Sequence, residues 1–378
     1  MHAPKDQKTK VLHMTSVHNR YDVRIFHKEC RSLKDAGYDV HLVVADGLGD
    51  EERFGVKIHD VGKPESLKDR ILRKTCAVYK KAREINPSLY HYHDPELMFA
   101  GIRLRLSGKT VIYDIHEDLP KQIKNKSYIP VPMRWLLSIF AGFLVQSVSH
   151  TMSANITVTE YLMKRFPQKK TALVMNYPRK SETPEIKTEW TSRNFDVTYV
   201  GGVNESRGFF NILNAVQKVR ATRHPHLRVA IIGPQDKAVE TYLAENPQSD
   251  WLYMPGCVDR DGVWDILSNT KIGIHIPHRT PQRVTGNPTK VYEYMFAGLP
   301  FILSDFENYK AIAAPASCAL FFDPEDENGI AEGIRKLLSR PEKTIQMGLN
   351  GKQYAHDHFT WEEQEQNLFD LYNRLLTA

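Results

Sequence analysis

The stretch 285-TGNPTKVYEYMFAGLPFILSD-305 reads as loop, helix and strand in immediate succession. Asn287, Pro288 and Thr289 supply turn and N-cap chemistry, with the proline where a helix tolerates a missing N–H. The helix this predicts runs over 289–297, and Gly298 followed by Pro300 stops it. Phe301, Ile302 and Leu303 form the short apolar run of a buried parallel strand. Such a turn aims free N–H groups and the positive end of the helix dipole at an anion, for instance a diphosphate. Glu293 sits one turn inside the helix, where a carboxylate accepts hydrogen bonds from a ribose diol; an ordinary surface glutamate is the alternative.

Outward from this segment, strands alternate with single helices on both sides of one polar stretch. In the first half, strands are predicted at 10–14, 39–44, 88–92, 110–115, 156–158 and 172–175, with helices at 24–36, 68–84, 95–106 and 160–166 between them. Residues 178–194 are polar, contain two prolines and have no periodicity, as an interdomain linker would. Alternation restarts with strands at 195–202, 227–234, 251–254 and 271–277, and helices at 208–223, 237–245 and 260–268. Helices at 327–338, 342–354 and 360–376 close the chain. This order implies parallel sheets with right-handed crossovers, an α/β chain of two Rossmann-like domains (1–177 and 195–359) facing a cleft. Ligands of open α/β sheets bind at the carboxyl ends of the strands.

A chain of 378 residues with 41% apolar and 25% charged residues suits two such domains and excludes disordered or fibrous classes. Four scattered cysteines without a C-x-x-C pair indicate neither a zinc ribbon nor a disulfide framework. No unbroken run of about 18–20 apolar residues is apparent, and the charged start of the chain does not read as a secretory signal, so a cytoplasmic setting is expected. The net charge of +6 is concentrated in 68-KDRILRKTCAVYKKARE-84, with seven Lys/Arg against Asp69 and Glu84. It reads as a basic amphipathic helix, either a solvated outer helix or a membrane-surface element. Residues 129–148 are the most apolar stretch; Arg134, Ser138, Gly142 and Gln146 recur every four residues and leave a wide apolar face. Together the two helices point to peripheral membrane contact, and no nucleic-acid partner is indicated.

Three loops carry candidate chemistry. In 199-YVGGVNESRGFF-210, Gly201 and Gly202 let backbone approach a phosphate that Arg207 would neutralise. His93-Asp94-Pro95 and Asp114-Ile115-His116-Glu117 both follow strand-like runs; Asp94 and Glu117 are candidates to accept or orient an acceptor proton, with turn capping as the alternative. In 15-TSVHNRYDVRIF-26, Ser16, His18, Arg20 and Arg24 would make a polar, cationic entrance for a phosphate-bearing acceptor. No Asp-x-Asp follows a strand to hold a divalent cation, and no G-x-G-x-x-G follows the first strand, so neither a metal nor a nicotinamide cofactor is expected.

The 285–305 segment resembles the donor-binding signature of family 4 nucleotide-sugar glycosyltransferases, which have the GT-B fold. That signature carries two glutamates separated by seven residues and then a Gly-x-Pro turn. Glu293 stands at the second glutamate and Gly298-Leu299-Pro300 at the turn, whereas Thr285 occupies the first glutamate's place. Arg207-Gly208 matches the family's second basic position, while Gly202 replaces its arginine; Lys290, Arg279 or Arg283 would supply the missing cation. His116 matches a histidine that contacts the donor sugar. The resemblance implies a glycosyltransferase acting with retention and without metal on a nucleotide diphosphate sugar. Its acceptor would be a hydroxyl of a glycan or lipid-linked compound, and the helix at 360–378 would return to the first domain. Thr285, Asn287, Lys290 and Glu293 would then bind the donor with Gly201, Gly202 and Arg207. A sugar-nucleotide epimerase of the same fold and a non-catalytic binding protein remain as alternatives.

Overall fold

The chain divides into two compact units, Met1–Asn176 with Trp361–Ala378, and Tyr177–Thr360. The computed structural model describes residues 8–116, 118–124, 129–183, 189–222, 224–246, 250–281 and 283–377.

The first unit is built on an eight-stranded sheet. Its strands are β1 (Lys10–Met14), β2 (Asp39–Val44), β3 (Glu51–Arg53), β4 (Val56–Asp60), β5 (Leu89–Tyr92), β6 (Thr110–Ile115), β7 (Ala154–Thr157) and β8 (Thr171–Leu173), in the order β3-β4-β2-β1-β5-β6-β7-β8. All pairings are parallel except β3 with β4. Val11, Leu12, Val40, Leu42, Leu89 and Val111 are wholly buried, which is why these runs read as continuously apolar. The helix predicted at 24–36 is a widened π-type stretch, Ile25–Cys30, leading into Arg31–Asp35. The C-terminal helix Trp361–Thr377 belongs to this unit: Trp361 donates its indole N–H to Ser32 Oγ at 2.8 Å, and Leu368, Leu371 and Tyr372 join the core.

The second unit holds β9 (Phe195–Val200), β10 (Val229–Ile232), β11 (Leu252–Gly256), β12 (Thr270–His275), β13 (Phe301–Ser304) and β14 (Ala319–Phe322). They form one parallel sheet in the order β11-β10-β9-β12-β13-β14. Val197, Ile231, Ile272, Ile274 and Ile302 pack with Ile212, Val216 and Ile330 of the covering helices. The described ends of 178–194 are fastened to this unit, Glu182 through Arg260 and Arg193 through the Thr270 carbonyl at 3.0 Å.

Helix Val131–Thr151 corrects the expectation that no segment is long and apolar enough to span a membrane. Its 21 residues include an 18-residue window of mean hydropathy 1.4, only 22% of it buried, so by length and composition it meets that requirement. The face turned inward carries Ser138, Ala141, Val145, Val148 and Ser149, with Ser138 Oγ donating to the Pro120 carbonyl at 3.0 Å. The outward face carries Trp135, Leu136, Ile139, Phe140 and Phe143, all more than half exposed. The usual amphipathic order is inverted.

Candidate active site

In the second unit the chain crosses to β10 on one side of β9 and later returns to β12 on the other. The loops leaving the carboxyl ends of β9 and β12 therefore flank a topological switch point. From β9 comes the turn Glu205–Arg207, capped by Asn204, whose Oδ1 accepts from the Arg207 N–H at 3.0 Å. Gly208 follows with φ +81°, and a β-carbon there would run into the Ile276 carbonyl beyond β12. Only glycine lets helix Phe209–Arg220 start that close. The Arg207 side chain lies against Gly201 and Gly202: β-carbons added to either would meet it at 3.5 Å.

From β12 comes Arg283, whose charge faces that of Arg207; burial and this repulsion lower its pKa from the ordinary arginine value. Among the described residues no carboxylate pairs with either guanidinium. Both act on His275, which burial, then Arg283, Arg207 and Lys290, push down to about 3, so the imidazole is neutral at physiological pH. Its Nδ1 finds no hydrogen-bond partner among the described residues, and its Nε2 lies 3.4 Å from the Tyr309 hydroxyl. Asn308 pins the loop by donating to the carbonyls of Arg283 (2.9 Å) and Gly286 (2.6 Å).

Helix Thr289–Phe296 begins after Pro288, which provides no side-chain cap; Asn287, expected to help cap it, lies half-buried just ahead. First-turn N–H groups are consequently not taken by a capping side chain. Glu293 is buried and ionised. Burial alone would raise its pKa, but Lys290 and Arg260 outweigh burial and bring it down to about 2. Arg260 Nη1 donates to Oε1 at 2.5 Å and Lys290 Nζ to Oε2 at 3.2 Å. Each carboxylate oxygen accepts two bonds, so one lone pair on each remains. Arg260 is itself held by Glu182 at 3.0 Å and lies 4.6 Å over the Trp264 ring. Thr285 donates to the Pro281 carbonyl at 3.0 Å. Of the three cations considered for the place vacated by Gly202, Arg283 stands beside Arg207 and Lys290 beside Glu293. Arg279 turns outward to Asp305 at 3.4 Å.

In the first unit the equivalent switch lies between β1 and β5. Asp94 is buried at the end of β5, and its Oδ2 accepts from Thr15 Oγ1 (2.8 Å), Ser16 N–H (2.5 Å) and Val17 N–H (3.2 Å). These bonds fold the loop after β1 over the sheet edge, while Oδ1 lies 3.4 Å from His18 Nε2. Asp94 therefore anchors His18. His116 sits at the end of β6, its Nε2 2.7 Å from Asp114 Oδ2 and its ring 5.7 Å from that of His18. Glu117 lies outside the described residues.

Arg20 and Arg24 depart from the cationic entrance expected of them. Arg20 is buried and bidentate on Asp46 (2.8 and 2.7 Å), with Glu51 at 3.1 Å. Arg24 is buried between Asp114 (3.0 Å) and Glu29 (3.0 Å) and donates to the Val174 carbonyl. A guanidinium withdrawn from water needs such carboxylates, and both side chains are committed to them. His18, about one-third exposed, is what remains of that entrance.

Comparison with known proteins decides the family. The model described as "Glycosyltransferase Family 4" matches residues 23–171, and the one described as "Glycosyl transferases group 1" matches 182–354. Between them they take in most of both units. The chain belongs to glycosyltransferase family 4. Spore coat protein SA of Bacillus subtilis is 26% identical over 195 residues, 47% of this chain and 48% of that protein. The MMP alpha-(1->4)-mannosyltransferase of Mycolicibacterium hassiacum is 20% identical over 171 residues, 45% of this chain and 40% of the other. The matches thus span about half the length, or less, of these curated relatives. Among solved structures, sucrose-phosphate synthase of Thermosynechococcus elongatus superposes with TM-score 0.76 at 15% identity, covering 98% of this chain and 100% of the other. HepE of Anabaena, in complex with UDP and glucose, gives 0.72 at 11%, covering 97% and 99%. Both establish the GT-B fold of this chain.

Sequence reasoning missed several groups at the candidate site. Arg260 opens helix Arg260–Ser268 directly after β11, a carboxyl-end position that pointed to it. His275 interrupts the apolar run 271-KIGIHIP-277, and a polar residue inside a buried strand was the available signal. Glu182 and Trp264 had none.

Proposed function

We propose that this transferase moves a sugar from a nucleoside diphosphate sugar to a hydroxyl of a glycan or lipid-linked acceptor, with retention and without a divalent cation at the diphosphate. The observation that carries the reading is the pair of guanidiniums, Arg207 and Arg283, that no described carboxylate neutralises. Two cations held against each other at the ends of β9 and β12, beside Gly201, Gly202 and an uncapped helix start, suit a ligand with two negative phosphates. Glu293 would take the ribose diol on its remaining lone pairs, and the charge of the leaving diphosphate would be stabilised by Arg207, Arg283 and the helix dipole. Arg283 thus fills the role left by Gly202.

His116, oriented by Asp114, would hydrogen-bond a hydroxyl of the donor sugar, and His18, held by Asp94, would face the acceptor. No enzymic nucleophile is assigned. In a front-face displacement the departing phosphate oxygen takes the proton of the incoming hydroxyl as the new glycosidic bond forms, and a nucleophilic side chain is not needed. Related folds support a nucleotide-sugar donor, since HepE has been captured with UDP-glucose and an E. coli trehalose-6-phosphate protein with UDP-2-fluoro glucose.

The exposed apolar face of Val131–Thr151, with Lys124 4.4 Å over the Trp135 ring, suits insertion at a membrane surface on the cytoplasmic side, where a lipid-linked acceptor would be presented. Release of nucleoside diphosphate from UDP- and GDP-sugars, followed with and without a lipid-linked glycan extract, tests the whole reading. Release that requires the extract supports transfer. Equal release in its absence would mean a hydrolase, and conversion of the donor sugar without any release would mean an epimerase.

A further inference from the structure

A second constellation lies inside the first unit, behind the loop that Asp94 holds. The register of β1 and β5 sets His13 beside His91, and His93 follows at the end of β5. Glu29 enters from Ile25–Cys30, and Tyr372 from the C-terminal helix. His13, Glu29, His91 and His93 have fully buried side chains. One donor atom from each lies within 4.8 Å of all the others. Glu29 Oε2 is 3.7 Å from His13 Nδ1, 4.0 Å from His91 Nδ1 and 4.0 Å from His93 Nε2; His13 Nδ1 is 2.9 Å from His93 Nε2. These separations bracket the edge of about 3.3 Å in a tetrahedron whose metal–ligand bonds are about 2.0–2.1 Å.

Two features point to a ligand there. Glu29 Oε1 is taken by Arg24 Nε at 3.0 Å, but Oε2 is buried without a hydrogen-bond partner among the described residues. A buried carboxylate oxygen without a partner is a feature a fold rarely retains for packing. Secondly, the outer nitrogens of two of the histidines already have the partners that orient metal-ligating imidazoles. His93 Nδ1 is 3.3 Å from Asp114 Oδ2, and His13 Nε2 is 3.1 Å from the Tyr372 hydroxyl.

We propose that His13, His91, His93 and Glu29 bind one divalent cation of the zinc class in the core of the first unit. Three imidazoles and one carboxylate suit zinc, whereas magnesium and calcium select oxygen-only sets. Binding releases the Tyr372 hydroxyl from His91 Nδ1, now 2.9 Å away, and leaves it on His13. The ion ties β1, β5 and the Ile25–Cys30 turn together next to the Arg24–Asp114–His116 chain. It has no part in the diphosphate chemistry, so this inference does not rest on the proposed transfer reaction.

The test is metal content and metal uptake of the full-length protein. Purified without chelator, it is expected to carry about one zinc-class ion per chain, and stripping lowers its melting temperature by roughly 5 °C. Refilling the stripped wild type with cobalt(II) restores melting and gives the strong visible bands of tetrahedral cobalt, a readout that needs no variant. Glu29→Gln and His91→Phe abolish uptake; His116→Ala retains it. Stripped wild-type protein that takes up neither zinc nor cobalt would overturn the proposal, leaving the cluster as a hydrogen-bond chain from Asp114 through His93 and His13 to Tyr372. So would loss of the ion in His116→Ala with retention in Glu29→Gln, which moves it to the outer group of His93, Asp114 and His116.

Discussion

Replacing Glu293 by glutamine removes a buried charge without changing its shape. The carboxylate's pKa falls from 4.5 to about 2 because Lys290 and Arg260 outweigh its burial. At about 1.4 kcal/mol per unit, the shift represents about 3 kcal/mol of preference for the ionised form. Since the folded-state pKa is depressed, this stabilisation is present above pH 4.5 and disappears as the pH falls through about 2. At neutral pH the variant forfeits it and leaves two cations facing an amide, although Arg260 keeps Glu182 at 3.0 Å. A loss of about 2–3 kcal/mol follows, or roughly 5–10 °C in the melting of the second unit. A charged hydrogen bond to the ribose contributes about 1.5–3 kcal/mol, so the Kd for the nucleoside diphosphate that binds should rise roughly 10- to 150-fold. Differential scanning fluorimetry and calorimetric titration with UDP and GDP measure both effects. Glu182→Gln, at a carboxylate whose partner among the described residues is Arg260, is expected to lower melting slightly and leave nucleotide affinity intact. A Glu293→Gln protein that melts earlier yet binds nucleotide like the wild type would refute the ribose assignment and reduce Glu293 to a counterion.

Arg283→Ala should raise the melting temperature of the ligand-free protein, because it relieves repulsion from Arg207, while weakening UDP or GDP binding roughly 10- to 100-fold in calorimetry; Arg279→Ala should alter neither. Gly208→Ala, at φ +81° against the Ile276 carbonyl, should cost about 2–4 kcal/mol in urea unfolding, whereas Gly256→Ala, at φ +76° in open space, should cost only about 1 kcal/mol. His275 is neutral in the folded state down to about pH 3, so an unfolded chain binds one more proton below pH 6.5. Stability of the second unit should therefore fall by about 1.4 kcal/mol per pH unit between roughly pH 6 and 4, and His275→Gln should flatten that slope. Trp135→Glu with Leu136→Glu should abolish flotation with anionic vesicles and leave the circular dichroism unchanged, both side chains being exposed.

The parallel sheets were legible because buried strands such as 195–200 and 301–304 are unbroken apolar runs, and because Gly298 and Pro300 mark the end of a helix unambiguously. β3 and β4 escaped notice: 51-EERFGVKIHD-60 is short and charged, and it forms a strand pair only by adding to the edge of β2. The signature around Glu293 was equally plain, but its electrostatic partner Arg260 is 33 positions away and meets it only once β11 and β12 share a sheet. Arg20 and Arg24 failed for the same reason in the opposite direction. Their carboxylates, Asp46, Glu51, Glu29 and Asp114, are invisible as partners until the strands align, so surface cations became buried ion pairs. For Val131–Thr151 the periodicity was clear, yet spacing alone does not say which face turns inward; small side chains pack there, and the large apolar ones are left outside.

The central claim is that the second unit binds a nucleoside diphosphate between Arg207, Arg283 and Glu293. Calorimetric titration of the wild type and of Arg207→Ala with UDP, GDP, ADP, CMP and NAD tests it most directly. The account predicts binding of one nucleoside diphosphate at one site per chain, lost or severely weakened in the variant. Binding of NAD alone, or a nucleoside diphosphate bound equally well by the variant, would contradict it.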